Sequence, residues 1–188
     1  MGGIPGLQSA EASHHEARML LAARADLTQF APLYERYFPR VYTYCLRRVE
    51  HAEAAEDLTS LIFTRALTHL HEYRGGSAAA WLFRIAHNAV ANHYRDRRVH
   101  VSLEHSEMDV ADENAAPGER MEQAEQQQAM RDLMTGLPDD QRELLALKLA
   151  GELTAEEIGA VLGKKAGAVR VELHRIIKRL RAQYEGLS

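Results

Sequence analysis

Apolar residues recur every three or four positions from residue 27 to about residue 98, which is the spacing of amphipathic α-helices. One set predicts a helix through Leu33, Tyr37, Val41 and Tyr44. The next set predicts a helix face made by Leu58, Ile62, Ala66, Leu70 and Tyr73. A third predicts a face made by Leu82, Ile85, Ala86, Ala89 and His93. The clearest loop lies at 74–77, Arg-Gly-Gly-Ser, and no strand-like alternation of useful length occurs, so the chain is predicted to be all-α.

The helical spacing is lost between residues 99 and about 127, where large apolar side chains are scarce. This segment carries Asp112-Glu113-Asn114 and then Pro117-Gly118, a composition typical of a solvated linker. It is either a plain acidic loop or a linker with a role of its own. The helical pattern returns at Gln128, whereas residues 1–24, rich in Gly, Ala, His and Ser, indicate a frayed or partly helical extension.

The C-terminal segment contains the elements of a helix-turn-helix. Thr154 and Glu157 have the S/T-x-x-E spacing of a capping box, which predicts the start of a short helix. Its inner face is predicted to consist of Ile158, Val161 and Leu162. Gly163 suits a left-handed helix end, and Lys164 and Lys165 fill the turn.

A second helix is predicted after the turn. Its inner face is expected to carry Val169, Leu173, Ile176, Ile177 and Leu180. Its other face carries Arg170, His174, Arg175, Lys178 and Arg179. Gly159 is small where the two helices would cross, and this arrangement is the motif that places a helix in the DNA major groove. The competing structural interpretation is a plain bundle corner with a solvated basic face.

The alternative interpretation is DNA binding. Long donor side chains on the second helix would reach the edges of the nucleobases, while basic residues at its two ends would fix its register on the phosphates. Glu172 is the exception, since an acid on this helix repels phosphate. Its carboxylate could accept from a cytosine amino group, or it could point away from DNA.

Charge is distributed unevenly, although the net charge of the 188 residues is only −4. Residues 81–98 carry +3, residues 99–128 carry −7, and residues 163–181 carry +6. The first basic block mixes Trp81, Phe83 and arginines on one helix, as proteins that stack and hold unpaired bases do. Trp81 and Phe83 could equally be core residues.

The composition favours a cytoplasmic protein without a membrane span. No apolar run approaches the roughly 18 residues that a span requires, and the N-terminus lacks the basic and apolar regions of a secretory signal. The single cysteine, Cys45, excludes an internal disulfide and a cysteine-cluster metal site.

An enzyme is not expected, because no nucleophile motif, phosphate-binding glycine loop or paired carboxylates are present. No cofactor or metal is expected either, since the histidines lack the i, i+4 spacing of a two-histidine site. A conventional regulator that uses the helix-turn-helix alone is a further alternative, but it would not need the basic aromatic segment 81–98.

Three blocks of the chain resemble bacterial sigma factors of the sigma-70 family. Their core-binding helix is similar to Ala55-Glu56-Asp57-Leu58-Thr59-Ser60 followed by Phe63. Their −10 region is similar to residues 73–77 together with residues 81–88. Residues 137–142 and 153–181 are similar to their −35 domain. The short linker resembles that of the extracytoplasmic-function group. The resemblance covers roughly residues 27–98 and 129–183.

The resemblance implies a transcription initiation factor with two small helical domains joined by a flexible acidic linker. The implied segments are an extension (1–24), a sigma-2-like domain (25–98), the linker (99–128) and a sigma-4-like helix-turn-helix domain (129–185). The partners would be RNA polymerase core, through its clamp helices and flap, promoter DNA and an anti-sigma factor. The linker would thread the polymerase channel, where its charge could mimic nucleic acid.

The resemblance also implies roles for individual residues. The first domain would open the −10 element, with Asn88 and Tyr73 at a pocket for a flipped base. The residues expected at the −10 element are Tyr73, Arg74, Ser77, Trp81, Arg84, Asn88, Arg95 and Arg98. Those expected at the −35 element are Lys164, Lys165, Arg170, Val171, His174, Arg175 and Arg179. Those expected at core polymerase are Asp57, Leu58 and Phe63.

Some positions depart from the family pattern. Ser60 and Leu61 stand where Gln and an acid are frequent in the core-binding segment. Lys165 and Ala168 replace Ser and Thr, and Glu172 replaces a basic or small residue. The last three positions tune base contacts, so the departures leave the promoter sequence open.

Overall fold

The structure is a computed structural model that describes residues 5–49, 51–100 and 136–185. Every regular element within these ranges is helical, which confirms the predicted all-α class. Most of the predicted linker, from residue 101 onward, lies outside the described residues. In the ranges that are described, no helix is both long and apolar enough to cross a membrane.

The first half of the chain consists of four helices and two short 3-10 turns. The helices are α1 (Pro5–Ala23), α2 (Ala31–Val49), α3 (Ala52–Thr68) and α4 (Ala78–His100). The turns are Leu27–Phe30, before α2, and Leu70–Glu72, after α3. The second half contributes α5 (Asp139–Leu149), α6 (Ala155–Leu162) and α7 (Ala166–Glu185).

The predicted apolar faces of the first half are largely confirmed. All four residues of the first set are buried on α2, and Leu58, Ile62 and Ala66 are buried on α3. Leu70 and Tyr73 are also buried, but they follow the end of α3 because the chain changes to a 3-10 turn after His69. On α4, the small and aliphatic residues Leu82, Ala86 and Ala89 are buried, whereas Ile85 and His93 are only half-buried.

Helix α1 shows that the segment expected to be an extension contributes to the core. Leu20 and Ala23 are buried against the neighbouring helices. The buried carboxylate of Glu16 accepts a hydrogen bond from the Tyr37 hydroxyl at 2.7 Å and pairs with Arg36 at 3.0 Å. An acid on the inner face of a helix obscures the apolar periodicity, so the sequence pattern did not reveal this packing.

The predicted capping of α6 is confirmed. The Thr154 hydroxyl accepts from the Glu157 amide at 3.2 Å, and the Glu157 carboxylate accepts from the Thr154 amide at 2.8 Å. Gly163 ends the helix with φ +67°, the left-handed conformation that favours glycine. A Cβ on Gly159 would lie 2.6 Å from the Lys164 carbonyl oxygen, so the turn itself requires the small residue.

Most of the predicted inner face of α7 is also confirmed. Val169, Leu173 and Ile176 are buried and Leu180 is half-buried. The prediction for Ile177 is wrong, because its side chain is 42% exposed. Each helical residue is rotated by about 100° from the one before it, so Ile177 is turned off the face on which Ile176 lies.

The two halves pack against each other. Their buried apolar residues form one continuous cluster that extends from Leu20 on α1 to Ile176 on α7. Gly151, just after α5, is part of this junction, because a Cβ there would lie 3.1 Å from the Phe83 ring of α4. The sequence predicted two domains but not this close contact between them.

Gly163→Ala should lower the free energy of unfolding by about 1 kcal/mol, because a side chain at this left-handed position is strained. Gly167 lies inside α7 with open space around its Cα, so the matched control Gly167→Ala should instead add about 0.5–1 kcal/mol. Urea unfolding followed by circular dichroism measures both. Equal effects of the two substitutions would contradict the assigned backbone conformations.

Candidate nucleic-acid interface

The exposed face of α4 carries a row of three polar side chains and one alanine. Arg84, Asn88, Ala91 and Arg95 are all exposed and are spaced at i, i+4, i+7 and i+11, which places them on one side of the helix. We call this row the α4 stripe. Arg95 also donates to the side-chain oxygen of Asn92. Three of the residues predicted for the −10 element therefore share a surface that is open to solvent.

The aromatic residues predicted for the same element lie at the beginning of α4. Tyr73 is only 1% exposed, and its hydroxyl donates to the Gly76 carbonyl at 2.7 Å, which closes the loop before the helix. The half-buried Trp81 ring packs edge-on against Tyr73, with the ring centroids 5.4 Å apart. Arg74 is exposed and donates to the His71 carbonyl at 2.9 Å. This loop lies at one end of the α4 stripe.

Ser77 faces the other half of the protein. Its hydroxyl accepts from the Ala80 amide at 3.0 Å, as an N-cap does, and donates to the Glu157 carboxylate of α6 at 2.6 Å. Arg98 is the last residue predicted for the −10 element, and its side chain lies outside the described part of the chain.

The basic residues of the helix-turn-helix are all on the surface. All the residues predicted for the −35 element are exposed: Lys164, Lys165, Arg170, Val171, His174, Arg175 and Arg179. A groove of about 660 Å³ runs along α7 beside the start of α5. Its walls include Val171, Glu172, Arg175 and Arg179.

Two acidic side chains partly neutralise the positive charge of this surface, and an amide accepts a hydrogen bond from a third base. Lys164 pairs with Glu172 at 3.0 Å across the turn, so the one acid of the basic block is neutralised locally. Arg170 pairs with Glu156 of α6, and Arg179 donates to the side-chain oxygen of Gln141. Arg175 also lies on the wall of this groove. Within the described residues, the structure shows no ion pair or side-chain hydrogen bond for Arg175.

A buried carboxylate joins the two halves. Glu143 of α5 is 5% exposed and accepts from the Tyr44 hydroxyl at 2.7 Å. Arg48 Nε lies 2.8 Å from Glu143 Oε2, and His87 Nδ1 lies 2.9 Å from Glu143 Oε1. We call these four residues the Glu143 cluster. It links α2 and α4 of the first half with α5 of the second.

The pKa values of Tyr44 and Arg48 keep both side chains protonated beside the Glu143 carboxylate. Burial raises the pKa of the Tyr44 hydroxyl well above its usual value, and the adjacent Glu143 carboxylate raises it further. Burial by itself would lower the pKa of Arg48, but Glu143 and Asp139 outweigh it, so the pKa of Arg48 is raised. Both groups consequently stay protonated and remain donors to the carboxylates at physiological pH.

Arg40 makes a second link between the halves. Its guanidinium donates to the Gly151 carbonyl and lies 3.4 Å from the Glu152 carboxylate. The same group lies over the Tyr37 ring, 4.7 Å from its centroid, and near the Phe83 ring. Gly151 and Glu152 are more than a hundred positions from Arg40 in sequence, so no local motif could have indicated this link.

An exposed apolar groove of about 500 Å³ lies between α2 and α3. Tyr34 and Phe38 flank Phe63, with ring centroids 4.7 and 6.1 Å from it. Leu67, 42% exposed, forms part of the wall. Of the residues predicted to contact polymerase, Phe63 lines the groove, Asp57 is exposed on α3, and Leu58 is buried in the core.

The groove contains residues that the sequence analysis missed. Tyr34, Phe38 and Leu67 each leave a large apolar surface in solvent, which soluble proteins do mainly where something binds. In the sequence, these residues could have been recognised as aromatic and aliphatic side chains that fall outside the buried faces of α2 and α3. The fold and surfaces thus define the class of protein: an all-helical helix-turn-helix protein with a second basic helix and an exposed apolar groove.

Comparison with known proteins identifies the family. The chain matches the sigma-70 region 2 family over residues 33–99 and the sigma-70 region 4 family over residues 127–180. It is 32% identical over 176 residues to the ECF RNA polymerase sigma factor BldN of Streptomyces coelicolor, covering 90% of this chain and 67% of that protein. It is 33% identical to the ECF RNA polymerase sigma factor ShbA of Streptomyces griseus, covering 87% and 92%.

Solved structures share the fold. CnrH in complex with the cytosolic domain of CnrY has a TM-score of 0.66 at 22% identity, covering 92% of this chain and 99% of that one. The sigma factor RpoE of Bartonella quintana, in complex with the anti-sigma factor NepR, has a TM-score of 0.63 at 21% identity, covering 83% and 96%. The chain belongs to the extracytoplasmic-function group of the sigma-70 family. It is a transcription initiation factor that directs RNA polymerase to promoters.

Arg175→Ala should weaken binding of the polymerase holoenzyme to duplex DNA that carries the −35 element. The salt dependence should fall by about one released counterion, because one phosphate or guanine contact is lost. Filter binding across a range of salt concentrations measures both. Arg18, exposed on α1, provides a control of equal charge change. An equal loss with Arg18→Ala, or no loss with Arg175→Ala, would remove Arg175 from the interface.

Proposed function

We propose that this sigma factor reads the −10 element with the α4 stripe and the −35 element with α7, while the apolar groove between α2 and α3 docks on core polymerase. The observation that carries the proposal is the presence of both basic helical surfaces and the apolar groove on one chain, within the segments matched by sigma-70 regions 2 and 4. A regulator acting through the helix-turn-helix alone would use only one of these surfaces.

The α4 stripe suits single-stranded DNA. Arg84 and Arg95 are long donors for phosphates, and the Asn88 amide between them can both donate to and accept from a base edge. Trp81 and Tyr73 stiffen the end of the helix where a flipped base would be received. In this proposal Tyr73 shapes the site through its bond to Gly76, since its ring is almost completely buried.

The helix-turn-helix suits duplex DNA. The N-terminal half of α7 presents Arg170, Val171, His174 and Arg175 on its exposed surface, as a recognition helix in the major groove does. Lys164 and Lys165 in the preceding turn are placed to contact the backbone. Because Lys164 pairs with Glu172, the acid can lie near DNA with its charge already balanced.

Partner proteins follow from the apolar surfaces and from the related structures. The α2–α3 groove, with Asp57 exposed on α3, is proposed to receive the clamp helices of polymerase, and the second half is proposed to contact the flap. Control by an anti-sigma factor is proposed because the structurally similar sigma factor RpoE of Bartonella quintana is solved in complex with the anti-sigma factor NepR. Function inside the bacterial cytoplasm follows from the polymerase partner.

The test is transcription with core polymerase and a promoter library, followed by sequencing of the transcripts. The wild-type protein should produce transcripts from a defined set of start sites, and these promoters should share −10 and −35 motifs. A folded protein that directs no specific starts would contradict the proposed function.

In the same assay, Asn88→Ala should slow promoter opening about tenfold or more, because one base contact made in the opened state is lost. Its affinity for core polymerase should stay within about twofold of wild type, since Asn88 lies on α4, away from the groove. Permanganate footprinting reports opening, and fluorescence anisotropy reports core binding. Parallel loss in both would show that Asn88 does not read a base.

Leu67→Glu should weaken binding to core polymerase by at least about tenfold, because a carboxylate in an apolar groove must be desolvated when the partner docks. Leu21, on α1, is 43% exposed against 42% for Leu67 and does not line the groove. Leu21→Glu is therefore a closely matched control. Comparable weakening by both variants, measured by anisotropy, would place the polymerase interface elsewhere.

A further inference from the structure

Helix α1 carries a buried acid for which the proposed function gives no role. Glu16 is only 7% exposed. Its carboxylate accepts a hydrogen bond from the Tyr37 hydroxyl at 2.7 Å and pairs with Arg36 at 3.0 Å. A carboxylate is tolerated inside a protein only where such partners are in place. This contact therefore fixes where α1 lies against α2.

The same helix packs against the beginning of α4. Leu20 lies one turn after Glu16 and therefore on the same face of α1. It lines a gap of about 10 Å³ together with Tyr37, Trp81 and Leu82. A gap of this size holds at most one water molecule, so these side chains are closely packed. By fixing α1, Glu16 holds an apolar support against Trp81.

Glu16 also lies near the loop that precedes α4. Tyr73 closes this loop through its hydrogen bond to the Gly76 carbonyl, and its ring packs against Trp81. Burial raises the pKa of the Tyr73 hydroxyl, and the nearby Glu16 carboxylate raises it further. The bonded pair of Glu16 and Tyr37 is therefore adjacent to both aromatic residues at the end of the α4 stripe.

We propose that Glu16 is a positioning residue for promoter opening, which holds α1 against Tyr37 and so fixes Trp81 where the flipped base is received. This inference rests on the proposed function. Glu16 itself touches no DNA in this proposal, because its carboxylate is buried and already bonded within the protein. Its effect can still be large, since in enzymes a displacement of about 1 Å can slow a step about a hundredfold.

Trp81 is the only tryptophan of the chain, so its fluorescence reports directly on this site. Glu16→Leu removes the acceptor and leaves the buried Tyr37 hydroxyl without a partner. In the free protein, the Trp81 emission of this variant should move to longer wavelength, and acrylamide should quench it at least about twofold more strongly. In the holoenzyme, promoter opening should slow about tenfold or more, while affinity for core polymerase stays within about twofold of wild type.

Glu16→Gln is the conservative variant, because an amide oxygen can still accept from the Tyr37 hydroxyl. The Arg36 side chain is 56% exposed and can turn to solvent. Glu16→Gln should therefore keep the wild-type Trp81 emission and an opening rate within about threefold of wild type. Glu35→Leu, which removes an exposed carboxylate from α2, should change neither quantity.

Circular dichroism establishes that each variant is folded. If Glu16→Leu is not, Tyr37→Phe decides the matter, because it keeps the ring beside Trp81 and removes only the donor to Glu16. Its emission and opening rate should change in the same direction as those expected for Glu16→Leu.

Folded variants with wild-type Trp81 emission would overturn the proposal, as would an altered emission at an unchanged opening rate. Equal losses of opening and of core binding would overturn it too, because they would indicate general damage to the first half. A Glu16→Gln protein as impaired as Glu16→Leu would overturn the role of the hydrogen bond. A wild-type holoenzyme that opens no promoter would instead contradict the proposed function, while the fluorescence would still decide whether Glu16 positions Trp81.

Discussion

The arrangement of this protein depends on one buried carboxylate. Glu143 is enclosed where α2, α4 and α5 meet, and a charge in that position is tolerated only when every neighbour is a suitable donor. Tyr44 and His87 supply hydrogen bonds to Glu143, and Arg48 supplies a positive charge 2.8 Å from its carboxylate. Replacement of such a cluster by apolar residues often stabilises a protein. We therefore interpret the role of the Glu143 cluster as structural specificity, because it selects one orientation of the two halves among the many that apolar contact alone would allow.

The orientation determines which surfaces remain free. Because α2, α3 and α6 pack against α4, the α4 stripe points outward, and Ser77 is hydrogen bonded to Glu157. The same packing leaves α7 with only its inner face buried, so its basic residues stay in solvent. Acids placed beside them, Glu156 and Glu172, reduce the positive field without removing it. The net charge of the chain is thus a poor guide to its affinity for DNA, because the bases are concentrated where the helices are exposed.

The groove between α2 and α3 follows from a different feature of the sequence. Phe63 is buried in the first half, yet on the solvent side Phe38 stacks on it and Tyr34 packs edge-on against it. These rings cover one another's apolar surface only in part, so an apolar area that a partner can cover remains exposed. In the proposed function, polymerase binding and core packing share Phe63. A substitution there would change both, so a substitution at the exposed Leu67 separates the two roles more cleanly.

The sequence by itself determined the local structure of this protein. The apolar periods of α2 and α3, the Thr154–Glu157 capping box and the left-handed Gly163 are consequences of short-range sterics and hydrogen bonding, and all were predicted. The family resemblance likewise rests on contiguous motifs. Only the tertiary structure decided that α1 joins the core and that Glu143 meets Arg48. Those outcomes depend on contacts between residues far apart in sequence, where a charged residue gives no sign in its own neighbourhood of the partner that makes its burial possible.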